Sequence, residues 1–175
     1  EKASRSQKPL VILDRDGVIN HDSDAYIKSA QEWHPITGSL EAIARLTEAG
    51  FDVAIATNQR GIALGLYDHL ALEEMHHKLH TLLAPLGGRI SQIEYCTADD
   101  TEHPNRKPNP GMLLTIAKAH GYQKAQYPTI YFVGDKHSDL IAAKRADMQP
   151  ILVKSGKGSA TAETISPPTI SHDAK

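Results

Sequence analysis

The sequence predicts an α/β fold with three layers, in which a parallel sheet is covered by helices on both faces. Short apolar runs alternate with amphipathic segments along the 175 residues, an order typical of strands that alternate with helices. Polar residues directly follow several apolar runs, as expected where ligands bind at the carboxyl ends of parallel strands. A chain of this length fits one domain and can bury a substantial core.

Five apolar runs predict the strands, at residues 10–13, 51–56, 91–96, 129–133 and 150–153. The first predicted helix spans 39–49, because Leu40, Ile43 and Leu46 recur on one face and Gly50 ends it. Three further helices are predicted at 70–83, from 110 or 111 to 121, and from 138 to 146. We expect three regions: a disordered N-terminal lead at 1–8, the domain at 9–158, and a loose tail rich in Ser, Thr, Ala and Pro at 159–175.

Composition argues against several classes of partner. The formal net charge is −2 and no basic run is present, so we expect no nucleic-acid partner. No apolar segment approaches the roughly 20 residues that cross a bilayer, and residues 1–8 lack the apolar core of a secretory signal. The single cysteine, Cys96, fits a reducing compartment. We therefore expect a cytoplasmic protein without a membrane partner, and we expect it to be a monomer.

The most informative feature is a pair of carboxylates at the end of the first predicted strand. Asp14 and Asp16 follow the apolar run that ends at Leu13, and Gly17 comes next. A carboxylate buried beside a strand is costly unless a cation or hydrogen-bond donors compensate its charge. The pair therefore indicates a metal site, although Asp and Gly are also common in an ordinary turn.

Further polar residues follow the later strands or precede a helix. They are Thr57, Asn58, Arg106, Lys107, Asp135 and Asp139. Taken singly, they are also compatible with helix caps, solvated charges or turn residues. Taken together, we expect them to converge on one rim of the sheet.

These residues occur in motifs that resemble a known family. The ordered set Asp14-x-Asp16-Gly17, Thr57-Asn58, Lys107-Pro108 and Gly134-Asp135-x-x-x-Asp139 resembles the four motifs of the haloacid dehalogenase (HAD) superfamily. Neighbouring residues, such as Arg15 and Gln59, are similar to those of the D-glycero-D-manno-heptose 1,7-bisphosphate phosphatases and the related histidinol-phosphate phosphatases. The resemblance covers about residues 9–158. It implies a Rossmann-like HAD fold without a separate cap domain, because the segments 20–38 and 91–106 are short.

The resemblance implies a Mg²⁺-dependent phosphatase that works through an aspartyl-phosphate intermediate. Asp14 would be the nucleophile and Asp16 the general acid and base. The Mg²⁺ ligands would be the Asp14 side chain, the Asp16 main-chain carbonyl and Asp135. Thr57 and Lys107 complete the implied catalytic set, because they would hold the phosphoryl group and its charge.

Substrate contacts are expected from loops, since the resemblance implies no cap. The candidates are Asp22, Ser23, Asp24, Asn58, Gln59, Arg60, Arg106 and Lys136. Arg106 suits a second phosphate, because its planar guanidinium can bind two oxygens at once. Residues 22–24 are equally compatible with a solvated loop. Asp139 is expected either to orient Lys107 or Lys136 or to bind the metal.

One stretch departs from the family pattern. The family typically carries a structural zinc in the loop before Arg106, held by a Cys-x-His pair and a Cys-x-Cys pair. Here the segment 96–105 keeps Cys96 and offers only His103 besides, whereas a closed zinc site needs four ligands. We expect no structural zinc, which leaves open how this loop is held.

Three functions are compatible with these features. The first is removal of the C7 phosphate from D-glycero-D-manno-heptose 1,7-bisphosphate, a step in lipopolysaccharide core synthesis. The second keeps the chemistry but acts on histidinol phosphate or another small monoester. The third is a non-enzymatic phospho-acceptor domain, which Asp16 argues against, since such a domain needs no acid and base beside its acceptor. Loop 22–24 and the string Thr57-Asn58-Gln59 favour the heptose bisphosphate.

Two other features carry weaker predictions. His76, His77 and His80 recur at helical spacing without the glutamate of a zinc-protease motif, and we expect them on a solvated helix face. Lys157 lies in a glycine-flanked stretch after the last predicted strand and is a further candidate to reach the substrate.

Overall fold

A computed structural model describes residues 7–165 and confirms the predicted α/β class. Its five strands are β1 (Leu10–Leu13), β2 (Asp52–Asn58), β3 (Gln92–Cys96), β4 (Tyr131–Gly134) and β5 (Gln149–Leu152). The helices are α1 (Ser39–Glu48), α2 (His69–Leu83), α3 (Gly111–Ala119), α4 (His137–Arg145) and α5 (Gly158–Thr164).

The strands form one parallel sheet in the order β3-β2-β1-β4-β5. Leu13 pairs with Ile55 of β2 on one side and with Val133 of β4 on the other. The chain therefore leaves β1, β2 and β4 at the same edge of the sheet. The strand order reverses between β1 and β4, and this is where ligands bind in open parallel sheets.

Two hydrophobic cores lie on opposite faces of the sheet. On one face, side chains such as Val11 and Ile55 pack against α1 and α2, and Trp33 is fully buried in the same cluster. On the other face, Leu10 and Phe132 belong to a cluster with residues of α3 and α4. This arrangement is the predicted three-layer fold, because alternate side chains of each central strand face opposite helix layers.

No separate cap domain is present in the part of the chain that the structure describes. Neither of the two segments that could hold one, 14–38 and 97–110, contains a helix or a strand there. Among residues 7–165, no helix is both long enough and apolar enough to cross a bilayer.

Some element boundaries differ from the predictions. β2 continues through Asn58, so Thr57 and Asn58 are the last residues of a strand, and a 3-10 helix begins at Arg60. A 3-10 helix at Lys124–Thr129 delays the start of β4 to Tyr131. Gln7, which we placed in the disordered lead, donates from Nε2 to the carbonyl of His120 at 3.2 Å. Residues 1–6 of that lead lie outside the described part of the chain.

The predicted loose tail at 159–175 is wrong over its first residues, because Gly158–Thr164 form α5. The two alanines in Ser159-Ala160-Thr161-Ala162 favour a helix. The hydroxyl of Thr161 donates to the carbonyl of Asp135 at 2.7 Å and thereby fastens the helix beside the end of β4. Residues 166–175 of the predicted tail lie outside the described part.

Candidate active site

A buried lysine lies between two carboxylates at the carboxyl edge of the sheet. Lys107 Nζ donates to Asp14 Oδ1 at 2.9 Å, to Asp139 Oδ1 at 2.7 Å and to the carbonyl of Ala56 at 3.0 Å. Asp14 directly follows β1, and its main-chain N–H donates to Val133 of β4 at 2.9 Å. Three segments that are distant in sequence are thus joined by one ammonium group, and Asp139 contacts Lys107, one of the two lysines that it was expected to orient.

Charges in this centre are far from balanced. Burial raises the pKa of Asp14 well above its usual value, Asp139 raises it further, and Lys107 opposes the rise. Burial alone would lower the pKa of Lys107, but Asp139 and Asp14 outweigh it and keep the ammonium charged. A single lysine therefore offsets the burial of these carboxylates only in part, and a further cation beside Asp14 would favour its ionised form.

The oxygens around Asp14 fit a magnesium ion. In residues 7–165, the one group of at least three acidic, histidine or cysteine side chains close enough to share a metal is Asp14, Asp135 and Asp139, with one oxygen of each within 4.8 Å of the others. Asp135 Oδ1 is buried and has no hydrogen-bond partner, while its Oδ2 accepts from the N–H of Lys157 at 2.9 Å. Both oxygens of Asp139 accept hydrogen bonds from the protein. Asp14 and Asp135 are therefore the side chains free to bind Mg²⁺, which prefers oxygen ligands.

Two glycines allow the loops to close around Asp135. Gly17 has φ +86°, and a Cβ there would lie 2.1 Å from Asp135 Oδ2. Gly156 has φ +57°, and a Cβ there would lie 2.5 Å from the same oxygen and 2.5 Å from Gly17 Cα. The hydroxyl of Ser155 also donates to the carbonyl of Gly17 at 2.8 Å. The loop after β5 thus packs directly on the loop after β1.

Asp16 is held by a buried arginine. Arg15 is completely buried, and its Nε donates to Asp16 Oδ1 at 2.9 Å, with Nη2 also 2.9 Å from that oxygen. Asn20 Nδ2 donates to the same oxygen at 2.9 Å. Burial favours a raised pKa for Asp16, but Arg15 and Asn20 outweigh it and lower the pKa from its usual value. Nothing in the sequence analysis assigned Arg15 a role; its position between two aspartates of a buried motif was the available signal.

His76 does not lie on a solvated face, so this prediction is wrong for it. The side chain is 8% exposed, and its Nε2 lies 3.2 Å from Arg15 Nη1. An arginine only donates, so Nε2 must accept and the ring carries its proton on Nδ1. Burial, followed by the charge of Arg15, lowers the pKa of His76 to about 3. His77 and His80 are exposed, as predicted.

Hydrogen bonds link the end of β2 and the residue that follows it to the buried centre around Lys107. The amide of Asn58 makes two bonds to the main chain of Lys107, accepting from its N–H at 3.0 Å and donating to its carbonyl at 3.1 Å. Gln59 is buried and donates from Nε2 to Thr57 Oγ1 at 3.0 Å and to Asp16 Oδ2 at 3.3 Å. Asn58 and Gln59, which were predicted to contact the substrate, are thus bonded to Lys107, Thr57 and Asp16 in this structure.

A polar cavity of about 260 Å³ opens beside Asp16. It is lined by every predicted substrate-contact residue except Arg106, namely Asp22, Ser23, Asp24, Asn58, Gln59, Arg60 and Lys136. Lys157, a further candidate to reach the substrate, also lines it. Tyr26 and Tyr67 are lining residues that the sequence analysis missed. Tyr26 has φ +66°, an unfavourable conformation for a bulky residue that often marks functional sites.

The cations around this cavity each have an acidic partner. Lys136 Nζ lies 3.7 Å from Asp22 Oδ2, and Lys157 Nζ lies 3.5 Å from Asp24 Oδ1. The carboxylate of Asp99 accepts from Arg60 Nε. These groups are exposed to different extents, from 15% for the Asp22 side chain to 97% for that of Asp24.

Loop 97–110, which we expected to lack zinc, is held by hydrogen bonds. His103 Nδ1 accepts from the N–H of Asn105 at 3.1 Å and lies 3.9 Å from Cys96 Sγ. Asn109 Nδ2 donates to the carbonyl of His103 at 3.0 Å. Arg106 Nη1 donates to the carbonyl of Asp99. Arg106 therefore supports its own loop, which explains why it does not line the cavity.

Comparisons with known proteins agree with this site. A family model described as HAD-hydrolase-like matches residues 104–174. The chain is 51% identical over 161 residues to the D-glycero-β-D-manno-heptose-1,7-bisphosphate 7-phosphatase of Pseudomonas putida KT2440, covering 91% of this chain and 90% of the relative. It is 53% identical over 155 residues to the enzyme of the same name from Pseudomonas aeruginosa PAO1, covering 88% and 85%.

A solved structure agrees as well. The crystal structure of D,D-heptose 1,7-bisphosphate phosphatase from B. bronchiseptica, complexed with magnesium and phosphate, matches with a TM-score of 0.86 and 44% identity, covering 92% of this chain and 89% of that one. These likenesses extend over nearly the full length of the proteins compared. The chain therefore belongs to the D-glycero-D-manno-heptose-1,7-bisphosphate 7-phosphatase family of the HAD superfamily.

Proposed function

We propose that this protein removes the C7 phosphate of D-glycero-β-D-manno-heptose 1,7-bisphosphate in a Mg²⁺-dependent reaction. The observation that carries the proposal is high identity, over nearly the whole chain, to phosphatases named for this substrate and this anomer. The buried centre around Asp14 supports it, because it contains a nucleophile, a lysine and a set of oxygens that fit the cation.

Asp14 is the proposed nucleophile. Its carboxylate oxygen attacks phosphorus, and the bond from phosphorus to the C7 oxygen breaks. Lys107 holds Asp14 Oδ1 in place and offsets negative charge on the transferring group. Asp139 keeps Lys107 in this orientation, and Asn58 fixes the main chain from which Lys107 extends.

Asp16 is the proposed general acid and base. Its pKa is low without substrate, and the negative charge of a phosphate nearby favours its protonated form. It donates that proton to the departing C7 oxygen. It then takes a proton from the water that attacks the phosphorus of the aspartyl phosphate, so that the Asp14 carboxylate is restored and phosphate is released.

Magnesium, when bound, neutralises phosphoryl charge and draws the phosphate to the nucleophile. The residues that would hold it are Asp14 and Asp135 through their side chains and Asp16 through its main-chain carbonyl. Asp135 suits this role because its buried Oδ1 lacks any other partner. Thr57, whose hydroxyl is buried beside Gln59, is proposed to donate to a phosphoryl oxygen.

The remote part of the substrate is proposed to lie in the polar cavity. Arg60, Lys136 and Lys157 supply cations there, and Asp22, Ser23 and Asp24 supply acceptors for sugar hydroxyls. Arg106 is proposed to act mainly by holding its loop. We propose a cytoplasmic location, because a single free cysteine, Cys96, is compatible with a reducing compartment. We also propose a monomer that needs no nucleic-acid or membrane partner. Light scattering coupled to gel filtration tests the monomer.

The direct test is phosphate release with and without Mg²⁺ from the two anomers of heptose 1,7-bisphosphate and from histidinol phosphate. We expect Mg²⁺-dependent release of one phosphate per molecule and the highest kcat/KM for the β anomer. An equal or higher kcat/KM for histidinol phosphate would contradict the proposed substrate while leaving the chemistry intact. No release from any of the three would contradict the function.

A further inference from the structure

A chain of contacts runs from the cavity through Arg15 to helix α2. Asp16 lines the cavity, and its Oδ1 accepts a hydrogen bond from Arg15 Nε, while Arg15 Nη2 lies 2.9 Å from the same oxygen without a hydrogen bond. Arg15 Nη1 contacts helix α2, with Met75 Sδ at 3.6 Å and His76 Nε2 at 3.2 Å. Arg15 is wholly buried, so water does not supply its acceptors. The nitrogen of His76 is therefore the strong acceptor at the far end of this guanidinium.

We propose that His76 is a positioning residue: by holding Arg15, it keeps the carboxylate of Asp16 aimed at the leaving oxygen of the substrate. The inference rests on the proposed function, because Asp16 must be the general acid for it to matter. His76 touches neither the cavity nor the nucleophile, and its whole effect passes through Arg15.

The chemistry of the site requires a neutral acceptor here. A carboxylate at this position would pair with Arg15 and weaken its hold on Asp16, whereas an apolar side chain would leave Nη1 with only the weak sulfur acceptor of Met75. A neutral imidazole accepts the hydrogen bond without competing for the charge. Arg15 contacts the ring of His76, and Tyr95 lies 6.3 Å away between ring centres. The charges of Arg15 and His80 lower the pKa of His76, whereas the charge of Asp16 raises it.

The test compares leaving groups in a single turnover. An alkyl phosphate needs a proton on its departing oxygen, whereas p-nitrophenyl phosphate does not, because p-nitrophenolate is a stable anion. We expect H76L to slow release of the first leaving group from heptose bisphosphate roughly 10- to 100-fold. Release of p-nitrophenol should change less than about threefold. H76Q, whose amide oxygen can accept from Arg15, should restore most of the rate on the sugar.

Controls separate positioning from folding. H77L makes the same change at an exposed neighbour on α2 and should leave both rates unchanged. Equal losses on both esters, or H76Q as slow as H76L, would show a merely structural role and overturn the inference. Should wild-type protein fail on heptose bisphosphate, the proposed function falls, and the same comparison applies to any alkyl phosphate that the protein hydrolyses.

A second measurement needs no variant. Two-bond ¹H–¹⁵N spectra of the wild-type protein report the tautomer of each histidine. We expect His76 to be neutral at pH 7, with its proton on Nδ1 and an unprotonated Nε2. A protonated Nε2 would exclude it as an acceptor for Arg15 and would overturn the inference even if H76L failed to fold.

Discussion

The catalytic centre and the cavity rim are both built from ion pairs, but their exposure differs sharply. In the centre, the side chains of Lys107, Asp14 and Asp139 are 3%, 6% and 1% exposed, whereas Lys157 and Asp24 on the rim are 52% and 97% exposed. Water and salt screen the rim pairs, so each contributes little to stability, while the buried pairs are strong and costly to break. The ion pairs of the centre therefore form when the protein folds. The cations of the rim can release their carboxylate partners and bind the anionic groups of a substrate instead.

The largest effect is expected from removing the nucleophile. D14N should lower kcat by at least roughly 10⁴-fold, since no other carboxylate can form the intermediate. Its unfolding temperature should stay the same or rise, because burial opposes the charged form of Asp14. Phosphate release and thermal unfolding measure the two quantities. Appreciable residual turnover would remove Asp14 as the nucleophile.

Removing the central lysine should affect both activity and stability. K107M leaves Asp14 and Asp139 buried without their cation, so we expect a loss of about 3–5 kcal/mol in the free energy of unfolding and a drop in kcat of roughly 10²- to 10³-fold. The matched rim variant K136M should change stability by less than about 1 kcal/mol. Urea unfolding of both proteins measures the difference, and equal losses would contradict the contrast between centre and rim.

Buried His76 should make stability depend on pH. Its pKa in the folded protein is about 3, against an ordinary value of 6.5. At pH values between these two pKa values, the unfolded chain therefore binds a proton on His76 that the folded chain does not bind. Stability that is fully present above pH 6.5 is lost as the pH falls toward 3, by up to about 1.4 kcal/mol per pH unit.

H76Q should flatten this dependence, and H77Q, on the exposed side of the same helix, should not. Unfolding free energies at several pH values between 7 and 4 measure the slope for all three proteins. A slope in H76Q identical to that of wild type would show that His76 is protonated in the folded state.

A rim cation should affect binding more than chemistry. R60A should raise KM about tenfold and leave kcat within about twofold, because Arg60 reaches only the remote part of the substrate. D99N removes the carboxylate that Arg60 now holds, so its KM should be unchanged or lower. Steady-state kinetics at two salt concentrations test this. A kcat loss in R60A comparable to that in K107M would contradict the expectation that the rim cations bind the substrate without taking part in the chemistry.

The smallest effect is expected at Cys96. C96S should keep kcat within about threefold, since we expect no structural zinc to depend on a single cysteine. Metal analysis after dialysis should find less than about 0.1 equivalent of zinc. One equivalent surviving dialysis would overturn this expectation.

The sequence alone predicted the features that depend on residues close together along the chain. The apolar runs predicted the strands to within a few residues, and the ends of β1 and β4 brought Asp14 and Asp135 to one edge because parallel strands share a direction. It also predicted the cavity lining in large part. The contact between Arg60 and Asp99 could not be predicted, because the two residues are 39 positions apart and no sequence pattern couples them.

The error at His76 had a visible signal. Leu72, Met75, Leu79 and Leu83 are the other buried residues of α2, and His76 lies on the same face at i+4 from Leu72. The prediction relied on the polarity of histidine rather than on the helical spacing of His76, and it therefore placed His76 on the solvated face. What spacing could not supply was the reason for burial, since its partner Arg15 is 61 residues away.

The contact between Gly17 and Gly156 has a consequence for engineering the range of substrates. Loop 21–28 meets the cavity through side chains, so its sequence and length can be exchanged with those of other phosphatases, whereas loop 97–110 contains Lys107 and contributes no lining residue. The loop at 155–158 cannot be exchanged freely, because its backbone lies against Gly17 and any side chain at Gly156 would collide with Asp135. A library that varies loop 21–28 and keeps the loops at 97–110 and 155–158 would preserve the chemistry while it searches for new esters.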